Sequence, residues 1–299
     1  MGPPGQENRL KQLILNADDL GICESTNFAI SRAYSEGGLT SASLMVIAPA
    51  FRHAVEQVAR RHPGLPIGLH LSLTSGRCQS PADQVSALVD DTGRFRRGFA
   101  SLWSLMNWGG RSARTQVRRE LEAQFQRFVA SGIPLHHVDG HRHVHMIPPI
   151  FELVADLARE YRCPRVRLSC EPFPRIASTI RDGRSALLAR NLPKQILLSG
   201  WGRTNRRRLA GLSAPDQAFG IVDSGRMDAT ALRRIVEHLP PGVTEVITHP
   251  GLGSDDGVDG SIADGDLAFL TSSSRRVELE ALLDSTIRSL LARHAPAHA

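Results

Sequence analysis

Four short stretches carry residues suited to metal-assisted hydrolysis or acid–base work: NADDLG (16–21), GLHLSL (68–73), HHVDGHRHVHM (136–146) and ITHPG (247–251). The third holds five of the chain's twelve histidines, with Asp139 in their midst. Histidine is the commonest metal ligand and the side chain most easily charged near neutral pH. Adjacent carboxylates such as Asp18 and Asp19 can divide labour, one binding a cation and the other taking a proton. Each stretch also has a plainer reading. Asp19 could close an Asx-turn or cap a helix, His70 could be a hydrogen-bonded core residue, and His249 could cap a turn.

In HHVDGHRHVHM, positions 137, 139, 141, 143 and 145 share one parity, and a straight strand would line them on one face. Gly140 and Pro148-Pro149 argue for a strand ending near Asp139 and a loop beyond it. One histidine could then bind a metal while others orient it, bind substrate or face water. An Asp-His-His set with open positions suits Zn²⁺, Mn²⁺, Co²⁺ or Ni²⁺, and through its carboxylate Mg²⁺. No zinc-finger spacing is present.

Parallel strands separated by helices would bring these stretches together. Apolar runs predict strands at 12–19, 41–49, 67–73, 135–140, 165–170, 219–224 and 244–251. Helical spacing predicts helices at 27–37, 51–62, 113–132, 148–161, 227–239 and 277–294. Asp18 and Asp19, His70, His141 and His249 then fall in or just after strands one, three, four and seven. Carboxyl ends of barrel strands converge on one face. The expected fold is therefore α/β, a single-domain irregular (β/α) barrel of TIM type with about seven parallel strands across 1–299. Residues 1–10 read as a disordered N-terminus, 171–215 as a capping or specificity segment, and the acidic stretch 253–266 as a mobile loop.

Composition narrows the function classes. The chain has 299 residues, 41% hydrophobic and 22% charged, enough for a sizeable core. Aromatic residues make up 5%, too few to favour stacked-base recognition, and no nucleic-acid partner is expected. The net charge of +6 and runs such as RDGRSALLAR (181–190) and WGRTNRRRL (201–209) suit an anionic partner or an arginine-rich solvated surface. Cys23, Cys78, Cys163 and Cys170 lack CxxC spacing and read as reduced thiols. No leader-like apolar segment opens the chain and no run is long enough to span a bilayer. A cytoplasmic protein, peripheral to the inner membrane surface at most, is expected.

NADDLG, IGLHLSLTSGR, HHVDGHRHVHMIP and VITHPG, in this order and spacing, resemble the YdjC-type carbohydrate deacetylases, over roughly residues 12–292. The resemblance implies a (β/α) barrel with irregular units, one divalent metal ion (Zn, Mg, Mn, Co or Ni) and hydrolysis of an N-acetyl group on an amino sugar. Carried over position by position, it makes Asp19, His70 and His141 the metal ligands, Asp18 the general base and His249 the general acid. Asp139, His143, His145 and Arg167 are assigned to substrate binding, with Asp139 also able to support a ligand from behind. Leu20 stands where the family usually has Phe. FASLWSLMNWGG (99–110) and VELEALLD (277–284) lean toward the branch associated with hopanoid biosynthesis. That branch implies a glycolipid substrate and peripheral membrane contact through the Trp-bearing segment 95–119; the alternative for Trp103 and Trp108 is core packing. A metal-dependent phosphoesterase with arginines clamping phosphate, a chitooligosaccharide deacetylase, and a barrel that binds sugar without turnover are the competing functions.

Overall fold

A computed structural model of the chain describes residues 10–172, 185–253 and 264–292. Residues 1–9 of the expected N-terminal tail, the middle of the acidic stretch and part of the 171–215 segment lie outside these residues.

The strands are β1 (Lys11–Leu20), β2 (Ser41–Leu44), β3 (Ile67–Leu71), β4 (Val138–Gly140), β5 (Gln217–Phe219) and β6 (Gly242–Thr248). They form one six-stranded sheet in the order β4-β3-β2-β1-β6-β5, every pair parallel. The helices are α1 (Glu24–Ser35), α2 (Phe51–Ala54, running into a π-turn at Val55–Ala59), α3 (Phe99–Trp108), α4 (Gly110–Ala130), α5 (Pro148–Glu160), α6 (Ser185–Arg206), α7 (Ala229–Glu237), α8 (Asp264–Leu270), α9 (Ser274–Leu283) and α10 (Ser285–Leu291).

Strand β1 lies at the centre, and all but its first two residues are buried, as expected for a parallel strand covered on both faces. Helix α4 turns Val117, Leu121, Phe125 and Phe128 into the core, the helical spacing read from the sequence. Polar residues of the same helix reach the site. The Gln124 amide accepts from Ser72 N–H and donates to Ser72 C=O, at 3.1 and 2.8 Å. That pair fixes the chain two residues beyond His70.

The expected fifth strand, 165–170, is not one. Val166 makes an isolated bridge to Val138, and Arg165 one to Ser213. Pro164 and Pro172 flank the segment, and the Cys170 amide turns back to the Leu168 carbonyl at 2.8 Å instead of extending a ladder. The architecture is a curled parallel α/β sheet of six strands rather than a full seven-stranded barrel. Two further expectations need correction. The acidic stretch is already helical at Asp264, where α8 begins. The single closing helix is two, α9 and α10, because Asp284 leaves helical backbone (ψ 127°) and caps α10 by accepting from the amides of Thr286 and Ile287.

Candidate metal centre and active site

Strand alternation would point Asp18 and Asp19 to opposite faces. The chain avoids this with a register shift between Ala17 and Leu20 and a left-handed Asp19 (φ 67°), and Gly21 (φ 94°) completes the bend. Both carboxylates therefore face one cavity of about 1040 Å³, whose lining includes His70, His141, His143 and His249.

Asp19, His70 and His141 each offer a ligand atom, all within 4.8 Å of one another, and all three residues are buried. Asp19 Oδ1 is 3.0 Å from His141 Nδ1 and 3.6 Å from His70 Nε2. Two imidazoles and a carboxylate suit a divalent transition ion, with the cavity leaving further positions open. The residues present fit such an ion. Asp19 Oδ2 takes the Arg275 guanidinium at 3.1 Å. Burial opposes ionisation of Asp19, but the His141 hydrogen bond and the charges of His141 and Arg275 hold its carboxyl well below the usual range.

Beneath Asp19, His70 and His141 lies a buried charge cluster centred on Arg167. Its guanidinium donates to both oxygens of Asp18 at 2.9 and 2.8 Å, and also reaches Asp139 at 2.6 Å and Glu245 at 2.8 Å. Asp139 completes its shell by accepting from Ser43 Oγ and pairing with His70 Nδ1, at 2.7 and 2.6 Å. Burial would lower the His70 pKa, yet Asp139 and Asp18 together raise it. One guanidinium serves three carboxylates, and burial pushes Glu245 up even beside Arg167.

The turn after β4 breaks the parity expected of the histidine run. Arg142 and His143 are both left-handed, with φ of 52° and 58°, a backbone state that costs a non-glycine residue of order 1–3 kcal/mol. His141 and His143 reach the cavity, and His143 Nδ1 pairs with Ser169 Oγ at 2.9 Å. Burial and the nearby Lys194 charge keep His143 well below its ordinary pKa. His141 goes the other way: despite burial, its contacts with Asp19 and Asp266 push it up to about 9. His145 is fully buried, donates from Nε2 to the Arg167 carbonyl at 3.1 Å, and is pushed down to about 4, chiefly by burial.

Of the residues assigned to substrate, only His143 lines the cavity. Asp139, His145 and Arg167 lie beneath it, Asp139 and Arg167 bound to each other and to neighbouring buried side chains, and His145 to the Arg167 carbonyl. His249 lies on the wall, Nε2 4.0 Å from Asp18 Oδ2 and Nδ1 3.8 Å from Glu278. Its own amide donates to Glu278 at 2.6 Å. Gly251 is explained by its neighbour: a Cβ there would meet Arg275 Nε at 2.8 Å. Several members of the site were not read from the sequence, namely Arg275, Asp266, Arg142, Glu278 and Glu245. Only Glu245, a charge inside the apolar run TEVIT, carried a visible signal.

A curled parallel α/β sheet with an Asp-His-His group at its carboxyl edge defines the class. The chain belongs to the YdjC-like protein family, whose pattern it matches over residues 12–293. It is 34% identical over 307 residues to a mouse carbohydrate deacetylase, covering 95% of this chain and 91% of that one. A carbohydrate deacetylase of Brevibacillus brevis is 47% identical over 154 residues, 51% of this chain and 58% of the relative. A chitooligosaccharide deacetylase of Yersinia pestis is 39% identical over 177 residues, 59% of this chain and 66% of its own. The matched stretches thus span little more than half the length of some of these curated relatives. A crystal structure of an Enterococcus faecalis protein described as a cellobiose-phosphate cleavage protein superposes with a TM-score of 0.68 at 22% identity, covering 97% of both chains. That likeness concerns the fold.

Proposed function

We propose that the protein is a metal-dependent N-deacetylase acting on an N-acetylated amino sugar. The observation that carries this reading is the convergence of Asp19, His70 and His141 with Asp18 and His249 on one cavity wall. Relatives described as carbohydrate and chitooligosaccharide deacetylases supply the substrate class. Asp19, His70 and His141 would hold a divalent cation, which when bound would polarise the acetyl carbonyl, activate water and offset the oxyanion charge.

Asp18 then acts as general base and takes the proton given up by the attacking water. The bidentate Arg167 contact fixes the angle at which its carboxylate meets the cavity. His249, oriented by Glu278, delivers a proton to the departing amine. His143 contacts the sugar as a neutral imidazole, while Asp139, Arg167 and His145 set the positions of the groups above them. The products are acetate and a free amino sugar.

The finer reading is a lipid-linked sugar. Trp103 and Trp108 are 36% and 71% exposed and pack edge-to-face at 5.1 Å, so they are surface residues rather than core. Arg96, Arg97, Arg111 and Arg114 are near them in sequence, a combination suited to an anionic lipid surface. Among the described residues no helix is long and apolar enough to cross a membrane.

The test is elemental analysis of the purified chain, joined to mass-spectrometric screening of acetylated aminosugars and glycolipids for loss of one acetyl group. Acetate release that disappears on chelation and returns with metal is expected. Phosphate release from sugar phosphates without acetate release would instead favour a phosphoesterase.

A further inference from the structure

The two histidines beside Asp19 are turned in opposite senses. His70 brings Nε2 to Asp19 and gives Nδ1 to Asp139 at 2.6 Å. His141 brings Nδ1 to Asp19 and sets Nε2 3.2 Å from Asp266 Oδ1. Each imidazole thus has a carboxylate on the nitrogen facing away from Asp19. A carboxylate behind a ligating histidine fixes its tautomer and ring orientation and strengthens it as a donor.

Resting on the metal-site reading above, we propose that Asp266 is the positioning residue that makes His141 a ligand through Nδ1. The backbone gives His141 less help than it gives His70. His70 sits inside β3, where the flanking residues Leu69 and Leu71 pair with Val138 and Gly140. His141 opens a turn whose next two residues are left-handed, and only the residue before it, Gly140, is held in a ladder.

Asp266 supplies the missing restraint from α8, more than a hundred residues away in sequence. Arg142 clamps the same oxygen from the turn, donating through Nε at 3.1 Å and Nη2 at 2.6 Å. The left-handed turn therefore delivers a guanidinium and an imidazole to one carboxylate oxygen. The Asp266 side chain is 8% exposed, so the contact is only weakly screened by solvent and salt. His141 Nε2 makes no aligned hydrogen bond among the described residues, so the Asp266 carboxylate at 3.2 Å meets no competing acceptor there.

Zn²⁺ titration of the full chain by chelator competition, with ¹⁵N-histidine NMR of the Zn²⁺-loaded protein, tests this. Asp266→Ala should weaken Zn²⁺ binding roughly 10- to 100-fold and abolish exclusive Nδ1 ligation by His141. Asp266→Asn keeps an acceptor oxygen without the charge, so it should retain Nδ1 ligation and lose less affinity. Unchanged affinity and tautomer in Asp266→Ala would overturn the proposal. Should that variant fail to fold, an Asp266→Asn protein with wild-type affinity would overturn it equally. His141→Ala separates the two claims. If it loses Zn²⁺ while Asp266→Ala does not, only the positioning role falls; if it binds Zn²⁺ normally, the metal-site reading falls.

Discussion

The floor and the wall of the cavity are built on different principles. The floor comprises Asp139, Arg167, Glu245 and His145, carried on strands or adjoining segments and almost wholly withdrawn from solvent. Its carboxylates answer a guanidinium or an imidazole, and His145 Nδ1 is its one buried side-chain polar atom lacking a hydrogen bond among the described residues. The wall comprises His141, Asp266, Arg142, His249 and Arg275, carried on a left-handed turn, on the residues after β6 and on the late helices. There, polar atoms such as His141 Nε2, His249 Nδ1 and Asp266 Oδ2 lack an aligned hydrogen bond. The floor is built to hold shape, and in the proposed function the wall is what would meet a cation and a substrate.

That contrast can be broken most directly at the proposed ligands. His141→Ala should remove both metal and acetate release; full metal content with turnover would sink the assignment. Asp18→Asn should keep the metal and slow turnover by roughly 10²- to 10⁴-fold, the range of a lost general base. If metal disappears instead, the roles of the two aspartates are reversed. A floor residue should fail differently. Arg167→Met strands three buried carboxylates and should cost about 3–5 kcal/mol of stability by urea unfolding, with or without metal.

A pH experiment sharpens the wall's side of the comparison. His141 is raised to about 9 without metal, so near pH 7 its imidazole carries an extra proton that a cation must displace. Metal affinity should therefore rise from pH 6 toward 9, with about one proton released per ion near neutrality, measurable calorimetrically in buffers of differing ionisation enthalpy. The same shift stabilises the metal-free fold below the unfolded pKa, a gain lost as pH rises through about 9. The smallest effect is expected from Gly251→Ala, whose new methyl would displace Arg275 and loosen Asp19. It should lower metal affinity modestly and leave the unfolding midpoint nearly unchanged.

The floor and the wall also differed in how far the sequence revealed them. Asp18, His70 and Asp139 were visible because a polar side chain inside an apolar run must have a partner or a purpose. His249 was visible as the polar end of such a run. Asp266 and Arg275 sit in GSIADGD and TSSSRR, where charge is unremarkable, and only tertiary structure turns them inward. Segment 165–170 looked like a strand from its alternating Val166 and Leu168, but backbone hydrogen bonding overrode the pattern. Helix α3 is legible in the sequence only as an aromatic stretch, and the break at Asp284 is set by a capping side chain rather than by periodicity.

The pairing of β1 with β6 has a consequence for biosynthesis. Asn16 must find Ile247, and Asp19 must find Arg275, before the site is whole. While the ribosome is still adding β6 and the helices beyond it, β1 has one finished edge and one open edge. The histidines of the turn after β4 emerge long before Arg275 and the His249 loop can meet them. Completion of the cavity wall is therefore a late event, delayed until the segment beyond β6 folds back onto β1.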